Sequence, residues 1–192
     1  MVQSVRWAES FRDTVRVEDN MDFFEVVRER RSIRAFTSAP VQEDALRHIL
    51  ETINRAPSAG NLQAYELYLV RDDERRAALV RAAGGQEFLA QAPIVLVFCT
   101  HGARAQSRYG QRGTELYALQ DATIACTYGM LAATALGLSS VWVGAFDEQA
   151  VAKILDVPAG QRPLAILPIG FAGESPHAPA RRGLGDLVHE LK

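Results

Sequence analysis

A sheet sandwiched between helices, in a mixed α/β or α+β arrangement, is the fold class this sequence predicts. Three observations carry it. Ile94-Val95-Leu96-Val97-Phe98 is an unbroken apolar run of strand composition, the pattern of a strand buried on both faces. Between Asp121 and Asp147 no residue is charged, and the stretch before Gly137 is apolar all round, as in a helix buried on every side. Helical and strand periodicities alternate along 192 residues, the length of a single domain, with no internal repeat and no linker.

The elements follow in order. Asp22 is placed to cap a short helix running to Arg30. Gln42–Asn54 carries Leu46, Ile49, Leu50 and Ile53 as one helical stripe, entered after Pro40. Pro57-Ser58-Ala59-Gly60-Asn61 is a loop by composition, Tyr65–Val70 a strand, and Glu74–Ala83 a helix stopped by Gly84-Gly85. Pro93–Cys99 is the central strand, and the polar stretch Thr100–Gly113 reads as a loop leading to a long helix over 114–136. A strand near Val141, a helix over Glu148–Leu155 and a last strand Leu164–Ile169 complete the domain, which occupies residues 21–192. Residues 1–20 form an N-terminal extension, where Trp7, Phe11 and Val15 at four-residue spacing suggest an amphipathic segment. The small residues Ala122, Ala125, Gly129, Ala132 and Ala133 suit a helix at the centre of its own domain or one approached closely by a second subunit; the dimer is the preferred reading.

Composition narrows the function classes. With 48% hydrophobic and 23% charged residues the chain is neither disordered nor a disulfide-dense module. A net charge of −2, from 21 basic against 23 acidic residues, gives no electrostatic footprint for nucleic acid or an anionic membrane. The charge-free run after Asp121 is long enough for a membrane span but is broken by Gly129, Gly137 and Ser139-Ser140, so a buried helix and strand explain it better. Residues 1–20 lack the apolar core of a secretory signal, and a cytoplasmic location is expected. Cys99 and Cys126 have no metal or redox spacing, and His48, His101, His177 and His189 are scattered, so no metal site is expected. Cys99 and His101 share a strand face, yet no third orienting group is evident, which favours a structural cysteine over a nucleophile.

The nucleotide fingerprints are missing: no Gly-x-Gly-x-x-Gly follows a strand, and no P-loop or nucleophile elbow occurs. The densest charge cluster is Arg28-Glu29-Arg30-Arg31-Ser32-Ile33-Arg34. Several guanidinium groups and a hydroxyl at a helix end make a phosphate clamp, because arginine offers bidentate, charge-assisted donors. The other reading is a solvated helix end whose cations complement the dipole. Arg181-Arg182 is a second basic pair, in the C-terminal tail.

Arg30-Arg31-Ser32-Ile33-Arg34-x-Phe36 after a short helix resembles the opening motif of the FMN-dependent nitroreductases. The resemblance continues through Pro57-Ser58-Ala59-Gly60-Asn61-x-Gln63, Ala92-Pro93, Gln120-Asp121, Ala135-Leu136-Gly137-Leu138, Val141-Trp142-Val143-Gly144-Ala145-Phe146 and Arg181-Arg182-Gly183-Leu184. It spans residues 21 to 192 in register, and the ordered set is far more specific than any one motif.

The resemblance implies an α+β fold of three layers, α-β-α, with a mixed, mostly antiparallel sheet flanked by helices in a subunit-swapped homodimer. It implies that Arg30, Arg31, Ser32 and Arg34 hold FMN, with Arg34 towards the pyrimidine edge. Pro57, Ser58 and Asn61 would come from the partner subunit, Val143, Gly144 and Ala145 would pass their backbone against the ring, and Arg181 or Arg182 would complete the phosphate site. The implied activity is transfer of hydride from NADH or NADPH through flavin to nitroaromatic, quinone or similar small-molecule acceptors in ping-pong fashion, with no catalytic side chain. A flavin-binding sensor or store, and same-fold ene-reductases, dehalogenases or flavin-cleaving enzymes, are the alternatives. Three positions depart from the pattern: Ala59 replaces a serine, Ala64-Tyr65 replaces Pro-Trp, and Tyr128-Gly129 stands where an amide side chain is common. Tyr65 and Tyr128 are expected to reshape cavity or core, and Arg108-Tyr109-Gly110 to lie on a loop that either lines the substrate opening or is plain surface.

Overall fold

The computed structural model describes residues 21–191, so the extension expected over residues 1–20 lies outside the described residues. Strands β1 (Tyr65–Val70), β2 (Ile94–His101), β3 (Ser139–Ser140) and β4 (Gln161–Gly170) form one antiparallel sheet in the order β1-β2-β4-β3. The apolar run of β2 resolves into the two-residue alternation of a strand. Val95, Val97 and Cys99 enter one core, while Leu96 and Phe98 enter the other. Helices α2 (Glu43–Asn54) and α6 (Ala118–Ala135) cover the Leu96 face, and α3 (Asp73–Ala82), α4 (Phe88–Gln91) and α7 (Glu148–Ile154) cover the Val95 face. The result is the expected three-layer sandwich, in which both faces of the central strand leave water.

Local chemistry sets the helix starts. Asp22 accepts the amide of Glu25 at 2.9 Å and opens α1 (Phe23–Glu29), which packs on α6. Asp72 caps α3 through the amide of Arg75 at 2.8 Å, a hydrogen bond that holds its carboxyl below the ordinary value. Asp147 does the same for α7 with the amides of Gln149 and Ala150. Each cap contributes about 1 kcal/mol by satisfying donors that the helix leaves unpaired.

The structure departs from expectation in three places. The stretch read as a loop over Thr100–Gly113 is helix α5 (Gly102–Arg112), continued by a π-helical turn over Gly113–Tyr117 into α6. Its buried positions are Gly102, Ala105 and Gly113, so it packs by close backbone approach and carries no large apolar stripe to reveal it. The strand near Val141 is reduced to Ser139–Ser140, with Val143 returning to the sheet as an isolated bridge to Ile166. Most of the small face of α6 packs within its own domain: a Cβ on Gly129 would meet Ile53 Cδ1 at 3.0 Å and Leu167 Cδ2 at 3.4 Å, while Ala132 borders a surface groove. What α6 leaves partly open is its larger side, where Tyr128, Leu131, Ala135 and Leu136 line an apolar groove of about 740 Å³ with Met21, Phe23 and Val26.

Candidate functional site

The arginine cluster begins where α1 ends. Arg30 is the C-terminal cap of α1, and the guanidinium of Arg31 turns back to donate to the carbonyls of Arg28 and Arg30 at 2.6 and 3.0 Å. Those carbonyls lack partners within the helix, so the cation neutralises the negative end of the dipole, which is the solvated-helix reading realised in part. The chain then joins the sheet: Ser32 bridges Ser140, the Ile33 amide donates to the Ser140 carbonyl at 3.2 Å, and the Arg34 amide donates to the Glu174 carboxylate. Arg31, Ser139 and Glu174 line a polar cavity of about 240 Å³ there. The Arg34 side chain is exposed.

Val143, Gly144 and Ala145 lie on the same sheet edge. Val143 exchanges both backbone hydrogen bonds with Ile166 at 2.9 Å, and the Ala145 carbonyl accepts the Gln86 side-chain amide at 3.1 Å. Among the described residues the amides of Gly144 and Ala145 donate to no protein acceptor, and both residues are exposed. This edge therefore offers guanidinium groups and a hydroxyl at one point and two open N–H donors at another.

Pro57, Ser58 and Asn61 sit elsewhere. The loop that holds them packs on the start of α6, where Asp121 is 2% exposed. Asp121 Oδ1 accepts the Ala59 amide at 2.9 Å and Oδ2 the Ala64 amide at 3.3 Å. Inside the loop Ser58 Oγ accepts the Gln63 amide at 2.9 Å, and the Asn61 amide donates to the Ser58 carbonyl at 3.0 Å. Gly60, Asn61 and Gln63 all have positive φ, so the loop is held in a conformation its side chains would not choose alone. Pro57, Asn61, Gln63, Asn54 and Arg55 line an open cavity of about 570 Å³.

The strand register fixes the separation of the two groups. The loop enters the sheet at Tyr65, which pairs with Thr100 at one end of β2. The arginine segment reaches the opposite end, through Ser32 to Ser140, Ile169 and Ile94. Four strand spacings across and six residues along put these corners roughly 28 Å apart, at about 4.8 Å per strand and 3.3 Å per residue. Within one chain the two halves of the predicted site do not meet. Arg181 and Arg182 lie on an exposed tail, and no described hydrogen bond or ion pair ties them to the arginine cluster.

Among the described residues no hydrogen bond joins the Cys99 and His101 side chains. Burial, with the charge of Glu66, pushes the Cys99 thiol up to about 12, and His101 Nδ1 faces Glu66 Oε1 at 2.8 Å instead. Among the described residues no group of three or more His, Cys, Asp or Glu could hold a metal ion, and no helix is long and apolar enough to cross a membrane. Tyr65 donates its hydroxyl to the Ile53 carbonyl at 3.1 Å, a packing role, while Tyr128 lines the apolar groove.

Sequence reasoning missed the parts of the site that hold other parts. Asp121 stands out in the sequence as the boundary of an uncharged run and as part of the Gln120-Asp121 motif, with no role assigned by either; a lone carboxylate heading a fully apolar helix is itself a signal, because such a group must find donors. Glu174 and Gln86 carried no signal beyond an ordinary polar residue.

Comparison with known proteins agrees with the fold. The family model described as "Nitroreductase family" matches residues 27–86 and 76–171. A protein of Thermus thermophilus named "NADH dehydrogenase" is 32% identical over 186 residues, covering 83% of this chain and 91% of its own length. "FMN reductase [NAD(P)H]" of Bacillus subtilis is 35% identical over 159 residues, and the match spans 76% of this chain and 64% of that relative. Among solved structures, the hypothetical oxidoreductase YcnD from Bacillus subtilis superposes with a TM-score of 0.81 at 30% identity, covering 87% of this chain and 72% of that one. The NADPH:FMN oxidoreductase from Vibrio harveyi complexed with NAD+ superposes with a TM-score of 0.81 at 27% identity, covering 88% and 76%.

Proposed function

Starting from the fact that this chain belongs to the nitroreductase family, we propose that it is an NAD(P)H-dependent FMN oxidoreductase acting on small-molecule acceptors such as nitroaromatics and quinones. The observation that carries the reading is the bridge from Ser32 to Ser140. It puts Arg30, Arg31, Ser32 and Arg34 on the sheet edge that also presents the open amides of Gly144 and Ala145. The donor set suits FMN: guanidinium groups and a hydroxyl for the phosphate and ribityl oxygens, and backbone N–H groups for the ring heteroatoms. Exposed Gly144 lets the backbone come close to a flat ring without a side chain intervening.

The protein works as a homodimer, with each FMN held between subunits. The distance of roughly 28 Å between the two groups of site residues supports this, since only a second chain can bring a loop carrying Pro57, Ser58 and Asn61 to the arginine cluster. The apolar groove beside α1 and α6, with Phe23 64% and Phe24 78% exposed, is a surface of the kind that oligomers cover. The tail after Gly170 is exposed along its length and carries Leu184, Leu187, Val188 and Leu191, which fits a segment that crosses to the partner and delivers Arg181 or Arg182 to the phosphate. Residues 21–192 act as one FMN-binding domain with residues 1–20 as an extension, in the cytoplasm.

FMN, when bound, would supply the redox chemistry, hydride and electron transfer between NADH or NADPH and a second substrate. The chain supplies position and charge. Arg30 and Arg31 would anchor the phosphate, and the amides of Gly144 and Ala145 would serve as donors to the ring. Arg34, whose backbone amide is held by Glu174, would place positive charge at the pyrimidine edge. No side chain is needed as acid or base. The absorption spectrum of the purified protein tests binding, with about one FMN per chain expected. Anaerobic mixing with NADH and NADPH then tests activity: bleaching of the flavin band supports an oxidoreductase, and a loaded protein that stays oxidised is a sensor or store.

A further inference from the structure

The helical hairpin formed by α5 and the turn over Gly113–Tyr117 has features that packing alone does not require. Gly110 adopts φ 55° and ψ −144°, a backbone conformation essentially reserved for glycine, and the turn that follows is π-helical. The hairpin leans on the loop assigned to FMN. The position a Cβ on Gly60 would take lies 2.6 Å from Tyr109 Oη and 2.9 Å from an Arg108 guanidinium nitrogen. Glycine at position 60 is what allows that guanidinium to rest across the loop.

The three arginines of the hairpin differ in what they do. Arg104 is a strut: its Nε donates to the Leu62 carbonyl at 3.1 Å, and it lies 3.9 Å from the Glu66 carboxylate. Arg112 donates to the Tyr117 hydroxyl at 3.0 Å. Arg108 is exposed, stands 5.5 Å from the Tyr109 ring centre, and has no carboxylate at ion-pair distance among the described residues. A guanidinium beside an aromatic ring, with no carboxylate partner among the described residues, can receive an oxyanion.

The geometry points to Arg108 as a specificity residue that favours reactants carrying a carboxylate or phosphate, read across Gly60 beside the flavin loop. This assignment rests on the FMN reading above. The anion has two sources, an acid group on the electron acceptor or the extra phosphate of NADPH, and the experiment separates them. FMN-loaded wild type is compared with Arg108→Gln, which keeps the stem, and Arg108→Lys, which keeps the charge. Acceptors are 4-nitrobenzoate and its neutral counterpart 4-nitrobenzyl alcohol; donors are NADPH and NADH in anaerobic stopped flow. Binding of unreactive benzoate against benzyl alcohol is followed by the change in flavin absorbance. In Arg108→Gln the anion-to-neutral ratio of kcat/KM or of affinity falls about tenfold or more in at least one arm, carried by KM, with partial recovery in Arg108→Lys. A change confined to the acceptor arm identifies the acid group, and one confined to the donor arm identifies the NADPH phosphate. Ratios that stay fixed in every arm overturn the assignment and leave the FMN reading intact, whereas a protein that binds no FMN overturns both.

Discussion

The buried carboxylate of Asp121 receives the amides of Ala59 and Ala64, one on each oxygen, and so closes the loop between Ser58 and Tyr65 onto the first turns of α6. Two acceptors on one rigid helix fix a segment whose Gly60, Asn61 and Gln63 have left-handed φ. Asp121→Asn keeps the shape but turns an NH2 group toward one of the two amides. The expected loss is about 1–3 kcal/mol, the usual cost of leaving a buried donor unpaired. Urea unfolding checks it, and FMN affinity falls with it because the loop loses its shape. An unchanged midpoint would remove Asp121 as the anchor.

Gly60→Ala tests the contact between loop and hairpin. At φ 59° a Cβ is strained by about 1–2 kcal/mol, and it would also strike Tyr109 Oη. Removing that hydroxyl in Tyr109→Phe relieves the second effect and leaves the first. The double-mutant cycle therefore gives a coupling of at least about 0.5 kcal/mol. Additive losses would mean that hairpin and loop do not touch in solution.

Fold and site were legible in the sequence to different degrees, for physical reasons. Tyr65–Val70 was read with its observed bounds, and α1 and α2 within a residue or two, because caps and apolar stripes announce elements that bury large side chains. Helix α5 escapes the sequence pattern because Gly102, Ala105 and Gly113 bury backbone rather than bulk, which periodicity cannot detect. The strand near Val141 was over-read because apolar composition reports burial, and Val141 is buried at 2% exposure without a ladder partner. The arginine cluster and the Gly144 segment were legible through the resemblance. Asp121 and Glu174 act on backbone amides distant in sequence, and only folding brings those amides to them.

The cysteines give a test independent of the cofactor. Burial pushes the Cys99 thiol up to about 12 and raises Cys126 as well, so neither forms thiolate near neutral pH. Iodoacetamide at pH 8 is expected to leave both unlabelled in the native protein and to label both in urea, read by intact mass. Rapid native labelling of Cys99 would contradict its placement in the core.

Arg34→Gln separates anchoring from tuning. Loss of the charge at the pyrimidine edge destabilises the reduced ring more than the oxidised one, so the FMN-saturated variant should show a lower midpoint potential and slower reduction by NAD(P)H. Potentiometry checks this. Weaker FMN binding with an unchanged potential would assign Arg34 an anchoring role alone.

In the proposed dimer FMN sits between two chains, with the arginine cluster of one facing the Asn61 loop of the other. Hybrid dimers test it most directly. Arg30→Ala and Asn61→Ala chains, differently tagged and co-expressed, yield a mixed dimer that can be purified on both tags. If each site takes its arginines from one chain and its loop from the other, the hybrid holds one site with both lesions and one with neither. One FMN per hybrid dimer is expected to bind with wild-type affinity, while both parent variants bind weakly. A hybrid whose two sites are both weakened would place each site within a single chain and contradict the account.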